Sequence, residues 1–421
     1  MNFAFLLALH YLCNMAGIYV HIPFCKSRCK YCDFYSTTWG EERNNRNDQR
    51  IQKTPNNPDI PSKQKAYVEA ICREMEQRKD FLQSESVKTL YFGGGTPSQL
   101  FPALLERIVR KAEQTFDFNT LDELTIEANP DDLSQEWIDE LKDALPQYAL
   151  RISMGIQTFD DTLLRLLGRR HTAQEAIDAV HRLQDSRITE ISIDLMYGLP
   201  RDGKHKKDYL EVWKEDLEQA VRLGVPHISA YHLSFEEGTL LYFMRERGEV
   251  HEVDEEESFT CFRLLRQTLL EAGYRHYEIS NFALPGHEAR HNSSYWNGIP
   301  YLGLGPGAHS YDGTRRTWNH PNLEGYLRGI NGSEMDIISS GETLSDEERY
   351  NEYIMTRLRT AQGISLQEIR NLFGEEQESY CRARAQTYLK NHRLYERADG
   401  RWALTEEGIF VSDAIIVDLF C

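Results

Sequence analysis

The sequence predicts an α/β chain: a partial (β/α)6 TIM-like barrel followed by a winged-helix-like α+β domain. Three observations lead there. Six short apolar, often β-branched runs alternate with helical patterns between residues 17 and 233, the order that builds a parallel sheet covered by helices. The polar and glycine residues of those runs fall at or just after their C-terminal ends, where parallel barrels hold ligands. Near the C-terminus, helical patterns precede a hairpin turning at Asp399-Gly400.

Length and composition permit this. With 421 residues the chain can form two or three domains around a sizeable core. A hydrophobic share of 40% and a charged share of 27% are ordinary for a soluble globular protein. A net charge of −18 argues against a nucleic-acid partner, because phosphate binding needs a basic surface. Eight cysteines without disulfide spacing point to a reducing compartment, the cytoplasm. Residues 3–9 are apolar and Cys13 follows, yet no Lys or Arg precedes them, no small-residue cleavage site follows, and the run is too short to span a bilayer. His10, Tyr11 and Leu12 are too bulky for a lipid-attachment signal. Residues 1–16 read as an N-terminal extension, with 1–14 upstream of the natural start.

The elements follow in order. Residues 18–22 alternate as a first strand, and a cysteine-rich loop follows. Residues 41–62 are polar and Asn/Pro-rich, a surface insertion with nothing to give a core. Helix 65–82 leads to strand 87–92, helix 104–116 to strand 124–127, and helix 135–144 to strand 150–157. Helical turns over 160–184 lead to strand 190–196, and helix 209–223 leads to strand 227–233. Helix 259–273 closes a barrel domain spanning 17–275. Residues 276–340 read as an irregular connecting region rich in Gly, Tyr, His and Asn. Helices 345–359, 366–373 and 378–391 with the hairpin make the C-terminal domain, 341–421, whose acidic setting favours structural packing over DNA binding.

Chemistry concentrates at the strand ends. Cys25, Cys29 and Cys32 follow the first strand at C-x3-C-x2-C spacing. Three thiolates so placed can hold a [4Fe-4S] cube with its fourth iron open to a ligand. The alternatives are a Cys3His zinc site completed by His21, or three buried cysteines acting as small hydrophobes. Gly93, Gly94 and Gly95, before Thr96, let a ligand approach backbone. Glu127 can accept from an ammonium or a ribose, and elsewhere it would be a surface carboxylate. Arg169, twelve residues after Gln157, suits a carboxylate. Asp194 sits in an apolar run and needs a partner, for which a ribose hydroxyl pair serves.

These residues together resemble the radical SAM enzymes, and within them the group containing the oxygen-independent coproporphyrinogen III oxidase and the HemW-type heme chaperones. The likeness runs from about Gly17 to the C-terminus, leaving out residues 41–62. It implies Cys25, Cys29 and Cys32 as cluster ligands. It implies Tyr19, Tyr31, Gly94, Gly95, Thr96, Glu127, Gln157, Arg169, Asp194 and Ala230 as contacts to S-adenosylmethionine (SAM). The oxidase has a further cysteine where this chain has Phe34, and it lacks the H-N-x-x-Y-W motif found here as His291-Asn292-Ser293-Ser294-Tyr295-Trp296. Both differences resemble the HemW type. The motif implies His291 and Tyr295 as heme-iron ligands and Trp296 as a plate against the porphyrin, with a structural loop histidine as the alternative for His291.

Two functions then compete. One is a heme chaperone carrying a [4Fe-4S] cluster, SAM and heme, served by an electron donor and a heme-accepting protein, with peripheral membrane association through that acceptor. The other is a radical SAM enzyme decarboxylating the propionates of coproporphyrinogen III, or acting on another porphyrin. Phe34 and the H-N-x-x-Y-W segment favour the chaperone, without turnover as a coproporphyrinogen dehydrogenase. The sequence leaves the acceptor and the oligomeric state open.

Overall fold

The computed structural model describes residues 15–38, 62–83, 85–118, 121–203, 207–332 and 338–421. The expected extension over 1–14 and the expected insertion, apart from Ser62, lie outside the described residues. Six strands run parallel in chain order: β1 (Met15–Ile22), β2 (Ser86–Gly94), β3 (Glu123–Ala128), β4 (Leu150–Gln157), β5 (Glu190–Tyr197) and β6 (His227–His232). Along β4, residues Leu150 to Met154 are buried without a break, so both faces of the strand need cover. Helices supply it. In helix Ala173–Asp185, Ala176, Ala179, Val180 and Leu183 are buried at helical spacing, and a Thr172–Glu175 capping box fixes its start.

Residues 276–340, expected as an irregular connection, instead extend the sheet at both edges. Strands β7 (Arg275–Glu278) and β8 (Asn281–Ala283) join beside β6, antiparallel. Strand β9 (Tyr301–Leu304) pairs parallel with β1 and carries β10 (His309–Tyr311), β11 (Arg315–Asn319) and β12 (Ser339–Thr343) beyond it. The order is β12-β11-β10-β9-β1-β2-β3-β4-β5-β6-β8-β7. Strands of three to five residues are too short for alternation to register, which is why the sequence hid them. The partial barrel therefore gains a seventh parallel strand.

The C-terminal domain packs helices Asp346–Leu358, Leu366–Phe373 and Glu375–Lys390 against the hairpin Leu394–Glu396/Trp402–Leu404. It has its own core, including Tyr350, Ile354, Ile369, Trp402 and Leu419. Three helices and a two-stranded wing are the expected winged-helix-like order. Among the described residues no helix is long and apolar enough to cross a membrane, and the cysteines are free thiols.

Candidate cofactor site

The cysteine loop leaves β1 and is closed by a short parallel pairing of Phe24–Cys25 with Thr37–Thr38. Two backbone bonds pin its middle: Lys30 N–H donates to the Leu167 carbonyl (3.0 Å), and Leu241 N–H donates to the Lys30 carbonyl (2.7 Å). Helix Asp161–Leu167 ends at Gly168 in the left-handed region (φ 79°), and a Cβ there would lie 3.2 Å from Lys30 Cγ. Glycine thus both stops the helix and lets the loop approach.

The loop roofs a cavity of about 480 Å³ at the C-terminal ends of β2 to β6, within the range of cofactor sites. Cys25, Cys29 and Cys32 line it, with Tyr31, Gly94, Gly95, Thr96, Glu127, Gln157, Arg169 and Asp194. Two expected SAM contacts, Tyr19 and Ala230, do not line it. Tyr19 stacks on Tyr91 (centroids 6.0 Å apart) and donates to His21 Nδ1 at 3.1 Å. Ala230 is buried within β6, and its neighbour Tyr231 faces the cavity instead.

Arg169 holds the site together. Its Nη1 donates to Cys29 Sγ at 3.3 Å and its Nη2 to Asn129 Oδ1 at 2.6 Å, while its Nε is buried without a hydrogen-bond partner. Cys25 Sγ lies 3.4 Å from Thr96 Oγ1. Among the described residues no three His, Cys, Asp or Glu side chains converge closely enough to hold a single metal ion. Three thiols of one loop lining one cavity are a donor set of the kind that holds an iron–sulfur cluster.

The acidic wall is tuned by burial. Glu127 accepts from Tyr91 Oη at 2.7 Å and from Gly94 N–H at 3.1 Å. Burial pushes its carboxyl up to about 7, against the pull of the Tyr91 hydrogen bond and with help from the Asp194 charge. Asp194 is likewise pushed up to about 6 by burial, opposed by hydrogen bonds from Ser229 and Ser153 and by the Arg169 charge. Gly94 has φ 106°, and a Cβ there would lie 2.5 Å from the His21 ring. Gln157, beside a register shift in β4, also has positive φ, 74°, a strained backbone of the kind found at ligand sites.

The heme candidates lie elsewhere. The H-N-x-x-Y-W segment is helix Arg290–Trp296, not a loop. His291 is 1% exposed. Its Nδ1 pairs with Thr89 Oγ1 and its Nε2 with Tyr295 Oη, both at 2.8 Å, and its ring stacks on Tyr91 with centroids 5.0 Å apart. Both ring nitrogens are hydrogen-bonded here, and the imidazole backs Tyr91. Tyr295 spends its hydroxyl on the same bond. Trp296 lies beneath the guanidinium of Arg359, 5.3 Å from ring centroid to Cζ.

Sequence reasoning missed Asn129, which also donates to Thr96 Oγ1 (3.3 Å), and Tyr91, which holds Glu127. Both had a signal. Asn129 directly follows β3, and Tyr91 shares a strand face with Gly93 by alternation.

Residues 19–212 match the Radical SAM superfamily, and residues 344–411 match the HemN C-terminal domain. Heme chaperone HemW of Lactococcus lactis is 33% identical over 390 residues, 93% of each chain. Heme chaperone HemW of Haemophilus influenzae is 31% identical over 96% of this chain and 97% of its own. Among solved structures, coproporphyrinogen III oxidase (HemN) from Escherichia coli, a radical SAM enzyme, superposes with a TM-score of 0.76 at 20% identity, covering 100% of this chain and 93% of its own. Its likeness supports the fold of barrel and C-terminal domain together. By its sequence likeness to full-length relatives and by its domain content, the chain belongs to the HemW family within the radical SAM superfamily.

Proposed function

We propose that this protein is a heme chaperone. It holds a [4Fe-4S] cluster through Cys25, Cys29 and Cys32, binds SAM beside it, and binds heme for delivery to an acceptor protein. The observation that carries the cofactor half is Arg169, a guanidinium in contact with a cluster-candidate thiol and still holding one buried, unpartnered N–H at the cavity wall. That N–H suits a carboxylate oxygen of a ligand bound against the cysteines. Held by Cys25, Cys29 and Cys32, such a cluster would supply reducing electrons beside the SAM sulfonium, drawn from an electron donor.

The chain's own residues do the rest. Arg169 pairs with the methionyl carboxylate. Glu127, fixed by Tyr91 and the Gly94 amide, accepts from the methionyl ammonium and ionises in doing so. Asp194 accepts from the ribose hydroxyls. Gly94 and Gly95 keep side chains out of the ligand's path, and Thr96 and Tyr31 close the wall next to the thiols.

The heme half rests on the names of the full-length relatives and on Phe34. This side chain is 64% exposed at the place where the oxidase type carries another cysteine. The test titrates hemin into air-free, cluster-loaded protein, then offers reductant, SAM and coproporphyrinogen III. One-to-one heme binding, release to an apo-hemoprotein and no decarboxylated product are expected. A clear yield of decarboxylated porphyrinogen would overturn the chaperone reading in favour of the enzyme.

A further inference from the structure

Two loops at the cavity wall are stiffened in the same way. Thr96, just past β2, precedes Pro97, and Asn129, the first residue after β3, precedes Pro130. A proline biases the residue before it towards extended backbone. Thr96 (φ −149°, ψ 95°) and Asn129 (φ −94°, ψ 147°) both adopt it. The Asn129 backbone is held again by its N–H, which donates to Ser98 Oγ at 3.3 Å, and by its carbonyl, which accepts from Asp132 N–H at 3.1 Å. The two side chains meet where Asn129 Nδ2 donates to Thr96 Oγ1 at 3.3 Å.

The order of donors along this contact is forced. A guanidinium only donates, so Arg169 Nη2, 2.6 Å away, must meet the amide oxygen of Asn129. The amide nitrogen then faces Thr96, whose oxygen accepts from it. The one hydroxyl proton of Thr96 is left for its other neighbour, Cys25 Sγ, at 3.4 Å. A thiolate bound to iron carries no proton, so in that state Thr96 is the donor. On the other side Arg169 Nη1 donates to Cys29 Sγ at 3.3 Å, while Nη2 also donates to the Gly155 carbonyl at 2.5 Å. One amide therefore orients two hydrogen bonds, each ending on a cysteine sulfur.

We propose that Asn129 is a positioning residue that aims Thr96 at Cys25 and Arg169 at Cys29, and so holds up the reduction potential of the cluster. The inference rests on the iron–sulfur part of the function proposed above. A cluster gains negative charge on reduction, so donors on its sulfurs stabilise the reduced form more than the oxidised one.

The test is a redox titration of full-length, cluster-loaded protein without SAM, read by electron paramagnetic resonance. Resonance Raman spectra of the iron–thiolate stretches in H2O and D2O accompany it, and in wild type those stretches should shift on deuteration. Thr96→Val keeps the shape and removes the donor, and Asn129→Ala releases Thr96 and Arg169 together. Each should make reduction about tenfold less favourable, 59 mV for one electron, and shrink the deuterium shift. Thr96→Ser keeps the hydroxyl and should hold the wild-type potential. The double variant should fall short of the sum of its singles, because Asn129 acts in part through Thr96. Should Asn129→Ala fail to retain the cluster, Asn129→Asp decides: it still accepts from Arg169 but takes the Thr96 proton, and must lose the same deuterium shift as Thr96→Val. Wild type that assembles no iron–sulfur cluster overturns the cofactor reading itself. A cluster whose potential is unchanged in Thr96→Val, or whose shifts add fully in the double variant, overturns the role of Asn129 alone.

Discussion

Glu127 and Asp194 face one cavity, and burial holds both carboxyls high, at about 7 and about 6. A carboxyl raised by folding binds its proton in the native state at pH values where the unfolded chain has released it. Its stabilising contribution is full below the unfolded value and is lost as pH rises through the folded one. Melting temperature of ligand-free protein should therefore fall from about pH 5 to about pH 8, and fall less in Glu127→Gln. A ligand ammonium reverses the bias by favouring the ionised form, so SAM binding near pH 6 should release protons. Calorimetry in two buffers of different ionisation enthalpy reads this directly, and absence of release would remove Glu127 from the ammonium site. Tyr91→Phe deletes a bond that holds Glu127 down, so it should move the release to higher pH. Arg169→Lys keeps the charge but loses the planar fork, and SAM should bind about 10- to 100-fold more weakly in equilibrium dialysis.

At the scale of elements, the ends of β1 and β2 are fitted to each other. Gly94→Ala would force a left-handed backbone onto alanine and drive its Cβ against His21, at a cost of about 1–3 kcal/mol. The variant should melt earlier and take up less SAM, whereas an unchanged melt would mean that β1 yields easily. Helix Arg290–Trp296 makes the opposite kind of prediction. His291→Ala strands the Thr89 and Tyr295 hydroxyls and removes the ring behind Tyr91, costing about 1–3 kcal/mol. Its melting temperature should drop while its heme spectrum persists. Loss of that spectrum in a folded His291→Ala protein would restore the histidine as an iron ligand. The burial of His291 was not legible in the chain because its partner Thr89 lies 202 residues away. The cysteine spacing and the glycine run were legible because each is complete within one turn of loop.

Across the whole molecule, the parallel core could be read because strands of six to nine residues, buried on both faces, leave continuous apolar runs. The edges could not. The three residues of Asn281–Ala283 and the three of His309–Tyr311 carry no period of their own, and their places beside β6 and near β1 are decided by pairing with distant strands. The central claim is simpler: Cys25, Cys29 and Cys32 carry an iron–sulfur cube at the mouth of the barrel. Metal analysis with absorption spectroscopy on protein prepared without air tests it. The account predicts about four irons per chain and a broad iron–sulfur band that vanishes in Cys25→Ser, Cys29→Ser or Cys32→Ser and survives in Cys72→Ser, Cys261→Ser and Cys381→Ser. Zinc in place of iron, or a band that outlasts loss of the three loop cysteines, would contradict it.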